Sequence, residues 1–156
     1  YIYTIDDKFC YLHLVTDAFS RMIIGYILAP TLEAKYTIEA LQQAISHAGS
    51  GNLCGTIHHS DRGVQYCCDE YITLLKEHHI RISMTEDSNP TDNGMAERVN
   101  GIIKNEFLEP LQTPKNLLEA LPLVDHAVRT YNTLRPHLNL NMRTPAQVYE
   151  GKQIIL

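Results

Sequence analysis

The chain has 156 residues, 44% of them hydrophobic, and a formal net charge of −5 at pH 7. That composition can fill one core, and no run approaches the roughly 18 apolar residues of a membrane-spanning helix. The mild acidity argues against a general nucleic-acid binder held by overall charge, but not against a nucleic-acid enzyme whose carboxylates are offset by metal ions.

Residues 1–5 predict a strand, and the opening "YIYTIDDKFC" has neither the basic nor the apolar region of a signal peptide. Tyr1 already lies in a β-prone stretch, so the chain is expected to start within its first strand, truncated at the N-terminus. "DDK" predicts a turn, "FCYLHLVTD" a second strand and "SRMIIGYIL" a third, giving an antiparallel meander. Ala34, Ile38, Leu41, Ile45 and Ala48 recur at helical spacing until "GSGN" ends the run. "GTIHHS" predicts a short strand leading into Asp61, "DEYITLLKEHHI" a helix and "RISMT" another strand.

The turn formers of "DSNPTDNG" predict a loop before a helix from about Met95 to Leu108, with Asp92 as its cap and Asn93 and Gly94 turning into it. Thr113 and Pro114 suit an N-cap and first helical position ahead of Leu117, Leu121, Val124, Val128 and Tyr131. Pro122 predicts a kink there, or two short helices. The order β-β-β-α-β-α-β-α predicts an α/β chain of ribonuclease-H-like fold. Its mixed sheet would combine the three-strand meander with two further strands, flanked by helices, in one domain spanning 1–156.

The cysteines at 10, 54, 67 and 68 make no CxxC and read as free thiols of a reducing cytoplasm. His58 and His59 are neighbours on a strand and point to opposite faces, so a zinc site with Cys67 and Cys68 fails on ligand direction. Carboxylates are the stronger lead. Asp61 at a strand end and Glu97 at a helix start, with residues 62–96 between them, are oxygen ligands of the type magnesium takes in metal-assisted phosphoryl transfer. Taken alone they read rather as solvated surface acids, since among 18 acids some pair at any chosen spacing is expected by chance.

"HHSDRGVQY" and "DNGMAERVNGIIKNEF" resemble the catalytic core of bacterial insertion-sequence transposases of the retroviral-integrase type, the integrase core domain of the DDE superfamily. "YLHLVTDAFSRMIIGY" before them and "YNTLRPHLNLNMRTPAQVY" after them extend the resemblance over nearly the whole chain. The resemblance implies two aspartates and a glutamate holding two Mg²⁺ or Mn²⁺ ions, with Asp61 as the second aspartate and Glu97 as the glutamate. The first aspartate of such proteins would fall three residues before Tyr1, outside this chain. Asp6 and Asp7 in a turn, and Asp17 tying down the turn before Ser20 and Arg21, are not expected to replace it.

The resemblance further implies that Asn100 and Lys104, on the same helix face as Glu97, meet DNA, with Lys104 on a phosphate; a solvated face is the alternative. Gly101 would let a strand approach, or is simply a tolerated helix glycine. Arg62 and Gln65 touch DNA or cap the next helix, and Arg135 and His137 of "RPH" pack the last helix on the core. The implied function is DNA transposition: metal-dependent cleavage and strand transfer at transposon ends, by a homo-oligomer on the bacterial chromosome in the cytoplasm, with no membrane partner. The chain as it stands is expected to be inactive for lack of the first aspartate. A non-catalytic remnant that dimerises or binds DNA, and a metal-dependent nuclease on the same fold, are the alternatives.

Overall fold

Aromatic and β-branched residues alternate through the first third of the chain and form strands β1 (Ile2–Tyr3), β2 (Phe9–Thr16) and β3 (Ile23–Ala29), an antiparallel meander in the order β1-β2-β3. This computed structural model describes residues 1–6, 8–49, 51–84 and 94–151. The meander register pairs Ile2 with Cys10 and Tyr11 with Ala29. It shifts where Val15 pairs with Gly25 but Thr16 with Ile23. Ile24 is therefore an extra, bulged residue, and it reverses the facing of the strand beyond it. Ile23 and Leu28 fall on one face of β3 and Gly25 on the other.

Helix α1 (Ala34–Ala48) lies on the Gly25 face, so close that a Cβ there would sit 2.1 Å from the Ala40 carbonyl oxygen. On the same face His13 meets α1, its Nδ1 2.9 Å from the Thr37 hydroxyl. Strand β4 (Ile57–Ser60), a 3₁₀ turn (Val64–Tyr66), α2 (Asp69–Glu77) and β5 (Arg81–Met84) follow, with β4 and β5 parallel. Helix α3 (Gly94–Ile102) continues into a π-helical segment (Ile103–Leu108), then α4 (Leu117–Thr133) and α5 (Pro145–Gly151) close the chain.

Two apolar clusters hold these layers. Cys10, Ile23 and Leu28 pack against Val99, Ile103, Val124, Val128 and Tyr131 of α3, the π-helical segment and α4. Leu41 and Ile45 of α1 pack against Tyr71 and Leu75 of α2 and against Ile80. Each such fully buried side chain contributes about 1.5–3 kcal/mol relative to exposure. Among the described residues the ladders form as two groups, β1-β2-β3 and β4-β5, and no ladder bond joins β4 to β1.

Four local expectations are corrected. The first strand ends early because the Ile5 and Asp6 amides donate to the carbonyls of Pro114 and Lys115, and Thr4 turns to the Lys8 carbonyl. Those same bonds keep residues 114 and 115 out of the helix, so Thr113 is not its cap. Asn116 is, its side chain accepting from the Glu119 amide at 3.1 Å while Glu119 accepts from the Lys115 amide at 2.9 Å. Pro122 does not divide α4, which is one helix of 17 residues. Proline there removes only the bond to the Leu118 carbonyl, and Leu118 is 77% exposed, so water can take its place. The segment predicted as one helix to Leu108 widens after Ile102, where the Glu109 amide reaches the Lys104 carbonyl five residues back.

Candidate functional site

Asp61 directly follows β4 and is exposed, as its strand-end position predicts. Its Oδ1 accepts the Gly63 amide at 2.8 Å, an aspartate turn that fixes the carboxylate. A Cβ at Gly63 would lie 2.9 Å from that oxygen and 2.7 Å from the Gln65 side-chain Nε2, so a larger residue would displace both side chains. Oδ2 makes no hydrogen bond among the described residues. Burial pushes the nearby Tyr66 phenol up, and the Asp61 charge pushes it further.

The two histidines before Asp61 diverge as the strand alternation requires. His58 turns inward, its Nε2 2.8 Å from the Tyr71 hydroxyl, and its buried Nδ1 has no hydrogen-bond partner among the described residues. His59 is exposed, its Nδ1 3.0 Å from the Ser83 hydroxyl. Cys10, Cys54, Cys67 and Cys68 are free thiols. Among the described residues no three His, Cys, Asp or Glu side chains gather as a cluster, so Asp61 and Glu97 stand outside any such group.

Glu97 lies in the first turn of α3, exposed, where the helix dipole favours a negative charge. Asn100 and Lys104 are exposed too, and Gly101 is half-buried with open space around it. Lys104 Nζ is 3.9 Å from Glu109 Oε1 and 4.9 Å from the centre of the Tyr1 ring. Such an exposed pair is weak and leaves the lysine available. Arg62 is exposed beside Asp61. Asp7, Asp92 and Asn93 lie outside the described residues; Gly94 is the first residue of α3. Asp6 is an exposed turn residue, and Asp17 ties its turn as expected, its Oδ2 accepting from the Ser20 amide at 2.8 Å and hydroxyl at 2.6 Å.

The "RPH" residues do structural work. Arg135 grips Glu106 of the π-helical segment through two bonds of 2.7 Å, holding the Glu106 carboxyl below its usual range. The His137 ring stands edge-on to Tyr131 at 5.0 Å. Burial and the Arg135 charge lower the proton affinity of His137, and burial lowers that of His13 and His58. Each of these histidines stays neutral in the fold at a pH where the unfolded chain is already protonated. The unfolded state then binds more protons, so stability is greatest above the ordinary histidine value of 6.5 and is lost as pH falls below it. Chemical denaturation from pH 8 to 5 should show a falling urea midpoint, with His58→Gln flattening that fall; a midpoint rising toward pH 5 would contradict this.

The carboxylates of Asp61 and Glu97 are each hard, exposed oxygen donors, one Asp61 oxygen has no hydrogen bond among the described residues, and the His58 and His59 imidazoles are turned to other partners. That chemistry fits a magnesium-like cation keeping much of its water, and does not fit zinc.

A meander covered on both faces by helices, followed by a parallel strand pair with an acid at its end, defines a ribonuclease-H-like α/β core. The chain belongs to the integrase core domain family, whose profile matches residues 2–90; a second integrase core domain profile matches 78–145. It is similar to the transposase for insertion sequence element IS629 of Shigella sonnei, 31% identical over 139 residues, covering 89% of this chain and 46% of that one. It is also similar to transposase InsF for insertion sequence IS3A of Escherichia coli K12, 29% identical over 149 residues, covering 96% and 51%. The chain thus spans about half the length, or less, of the curated relatives it matches.

Among solved structures it resembles the HTLV-2 integrase catalytic core domain in complex with magnesium in its dimeric form. The TM-score is 0.73 at 27% identity, covering 96% of this chain and 89% of that one. The trimeric form gives 0.69 at 26%, covering 94% and 88%. A simian T-cell lymphotropic virus intasome shares the fold at a TM-score of 0.77 and 23% identity, over 96% of this chain and 50% of that one. Among the described residues no helix is long and apolar enough to cross a membrane.

Two features of the site went unseen in the sequence. One is the Gly63 amide that pins Asp61, for which "DRG" was the available signal. The other is Arg21, whose guanidinium meets Met95 of α3 from 74 residues away, a pairing no local pattern encodes.

Proposed function

We propose that this chain is the catalytic core of a DNA transposase that cleaves and joins phosphodiesters at transposon ends with Mg²⁺ or Mn²⁺. The observation that carries the reading is Asp61: a strand-end carboxylate fixed by the Gly63 amide, with no hydrogen bond to its second oxygen among the described residues, in a chain of the integrase core family. Its similarity to transposases, and to an integrase core solved with magnesium, supports that substrate and that ion.

Asp61 Oδ2 and the Glu97 carboxylate would hold the cation. When bound, a divalent ion acidifies an attacking water or hydroxyl and offsets charge on the leaving oxygen. The chain's own part is positioning. The Gly63 amide keeps Asp61 from rotating, and the start of α3 carries Glu97 on a rigid element. Lys104 neutralises a phosphate and Asn100 meets a base edge or the backbone. No residue is required as a covalent nucleophile, because phosphoryl transfer rests on positioning and charge stabilisation. The protein would act as a homo-oligomer on the bacterial chromosome, in line with the dimeric and trimeric forms of the similar HTLV-2 core.

The DNA-facing role of α3 is tested by Lys104→Ala. Binding to a fluorescent duplex should weaken, with the slope of log affinity against log salt flattening by about one unit. An unchanged slope would return Lys104 to its surface pair with Glu109.

A further inference from the structure

The rod formed by α3 and the π-helical segment is gripped along one side. In its first turn Met95 Sδ meets the Arg21 guanidinium. Further on, Val99 and Ile103 are buried against Val124, Val128 and Tyr131. Past them the Glu106 carboxylate takes two bonds of 2.7 Å from Arg135, Nη2 to Oε1 and Nε to Oε2. Residues 95, 99, 103 and 106 recur at helical spacing, so these contacts share a face. Glu97 is exposed and stands about 200° around the helix from Met95, on the opposite side.

The two end contacts also join behind the rod. Arg135 Nη1 lies 3.4 Å from the ring nitrogens of His137, and the His137 ring stands edge-on to Tyr131 at 5.0 Å. The Tyr131 hydroxyl in turn donates to the Arg21 carbonyl at 3.0 Å. The Arg135–Glu106 pair orients more than it stabilises. The Glu106 side chain is 48% exposed, and a pair so open to water adds little stability, whereas a guanidinium fork on a carboxylate fixes direction. Glu106 also lies inside the π-helical segment, where the Glu109 amide reaches the Lys104 carbonyl. Such a segment amounts to a residue added to the helical ladder, and each residue is about 100° of turn. How Glu97 faces relative to Glu106 therefore depends on this segment, whose carboxylate Arg135 holds.

We propose that Arg135 is a positioning residue for metal binding: through Glu106 it fixes the rotation of α3, and so the direction in which Glu97 presents its carboxylate to the cation. This rests on the reading of Asp61 and Glu97 as ligands of one ion. The test is a Mn²⁺ titration of the ¹⁵N-labelled 156-residue chain, followed by NMR at Gly63 and at the start of α3, below the melting temperature of every variant. Arg135→Gln and Glu106→Gln should each raise the Mn²⁺ midpoint about 10-fold, the loss typical of a residue that orients a metal ligand. The double variant should rise no further than either single one, because both remove the same pair. Glu106→Gln keeps the shape of an exposed side chain, so it carries the test if Arg135→Gln fails to fold. A through-space charge effect would move the two variants oppositely, since one loses a positive charge and the other a negative one. Opposite shifts, or an unchanged midpoint in Glu106→Gln, overturn the assignment; if the parent chain shows both segments broadening together, the cation reading then stands and only Arg135 falls. A parent chain in which Mn²⁺ does not broaden both segments overturns both.

Discussion

Asp61→Asn should lower metal-dependent DNA strand transfer by more than about 100-fold in an active protein built on this core, without unfolding it. Loss of residues that merely orient a metal ligand already costs about 10–100-fold, and here the ligand itself is changed. Asparagine keeps the shape of aspartate, and its carbonyl can still accept the Gly63 amide that Asp61 Oδ1 now holds at 2.8 Å. The second oxygen becomes an NH₂ group, a donor that turns positive hydrogens toward a cation. Because Asp61 is exposed, the melting temperature should stay within about 2 °C of the parent. Cleavage of a labelled transposon end, read beside thermal melts, separates the two effects. Activity within threefold of the parent would remove Asp61 from the chemistry.

The largest effect on stability should come from Gly25→Ala. The added methyl would sit 2.1 Å from the Ala40 carbonyl oxygen and 2.9 Å from the Ala44 amide nitrogen, both backbone atoms of α1. No rotamer change relieves that contact, so α1 must lift from β3 and uncover Leu41 and Ile45, both buried. Overpacking of this kind costs about 3 kcal/mol or more, a large part of a domain's stability. Gly101→Ala is the matched control, since a Cβ there meets nothing within 4 Å and alanine is the better helix former by about 1 kcal/mol. Urea unfolding should give a sharply lower midpoint for the first and an equal or higher one for the second. Equal midpoints for Gly25→Ala and the parent would mean that α1 does not rest on Gly25.

The sequence made legible whatever depends on short-range periodicity. Helix α1 spans Ala34–Ala48, the bounds its apolar spacing predicts, and β4 delivers Asp61 at its end as "GTIHHS" suggests. Glu97 likewise falls in the first turn of α3. Features set by partners distant in sequence were not legible. Thr113 and Pro114 have good cap chemistry, yet Ile5 and Asp6 claim the carbonyls of residues 114 and 115, and the cap moves to Asn116. Ile24 reads as an ordinary strand residue, but the bulge it forms decides which of its neighbours face α1. Arg21 reads as a turn residue, and only the folded chain brings it to Met95. The turn bonds of Asp17 were visible because Ser20 lies three residues away, whereas Arg135 of "RPH" takes Glu106, 29 residues back, a partner the local motif does not specify.

The shared cation of Asp61 and Glu97 is tested most directly by paramagnetic broadening. The ¹⁵N-labelled chain is titrated with Mn²⁺ and the backbone amides are followed by NMR. If one ion binds both carboxylates, the amide of Gly63 and those at the start of α3 around Glu97 broaden together, with one midpoint. Asp61→Asn and Glu97→Gln should then each abolish the broadening at both places. Broadening confined to one of the two segments, or persisting at either after its partner carboxylate is removed, would show that the two acids do not hold a common ion.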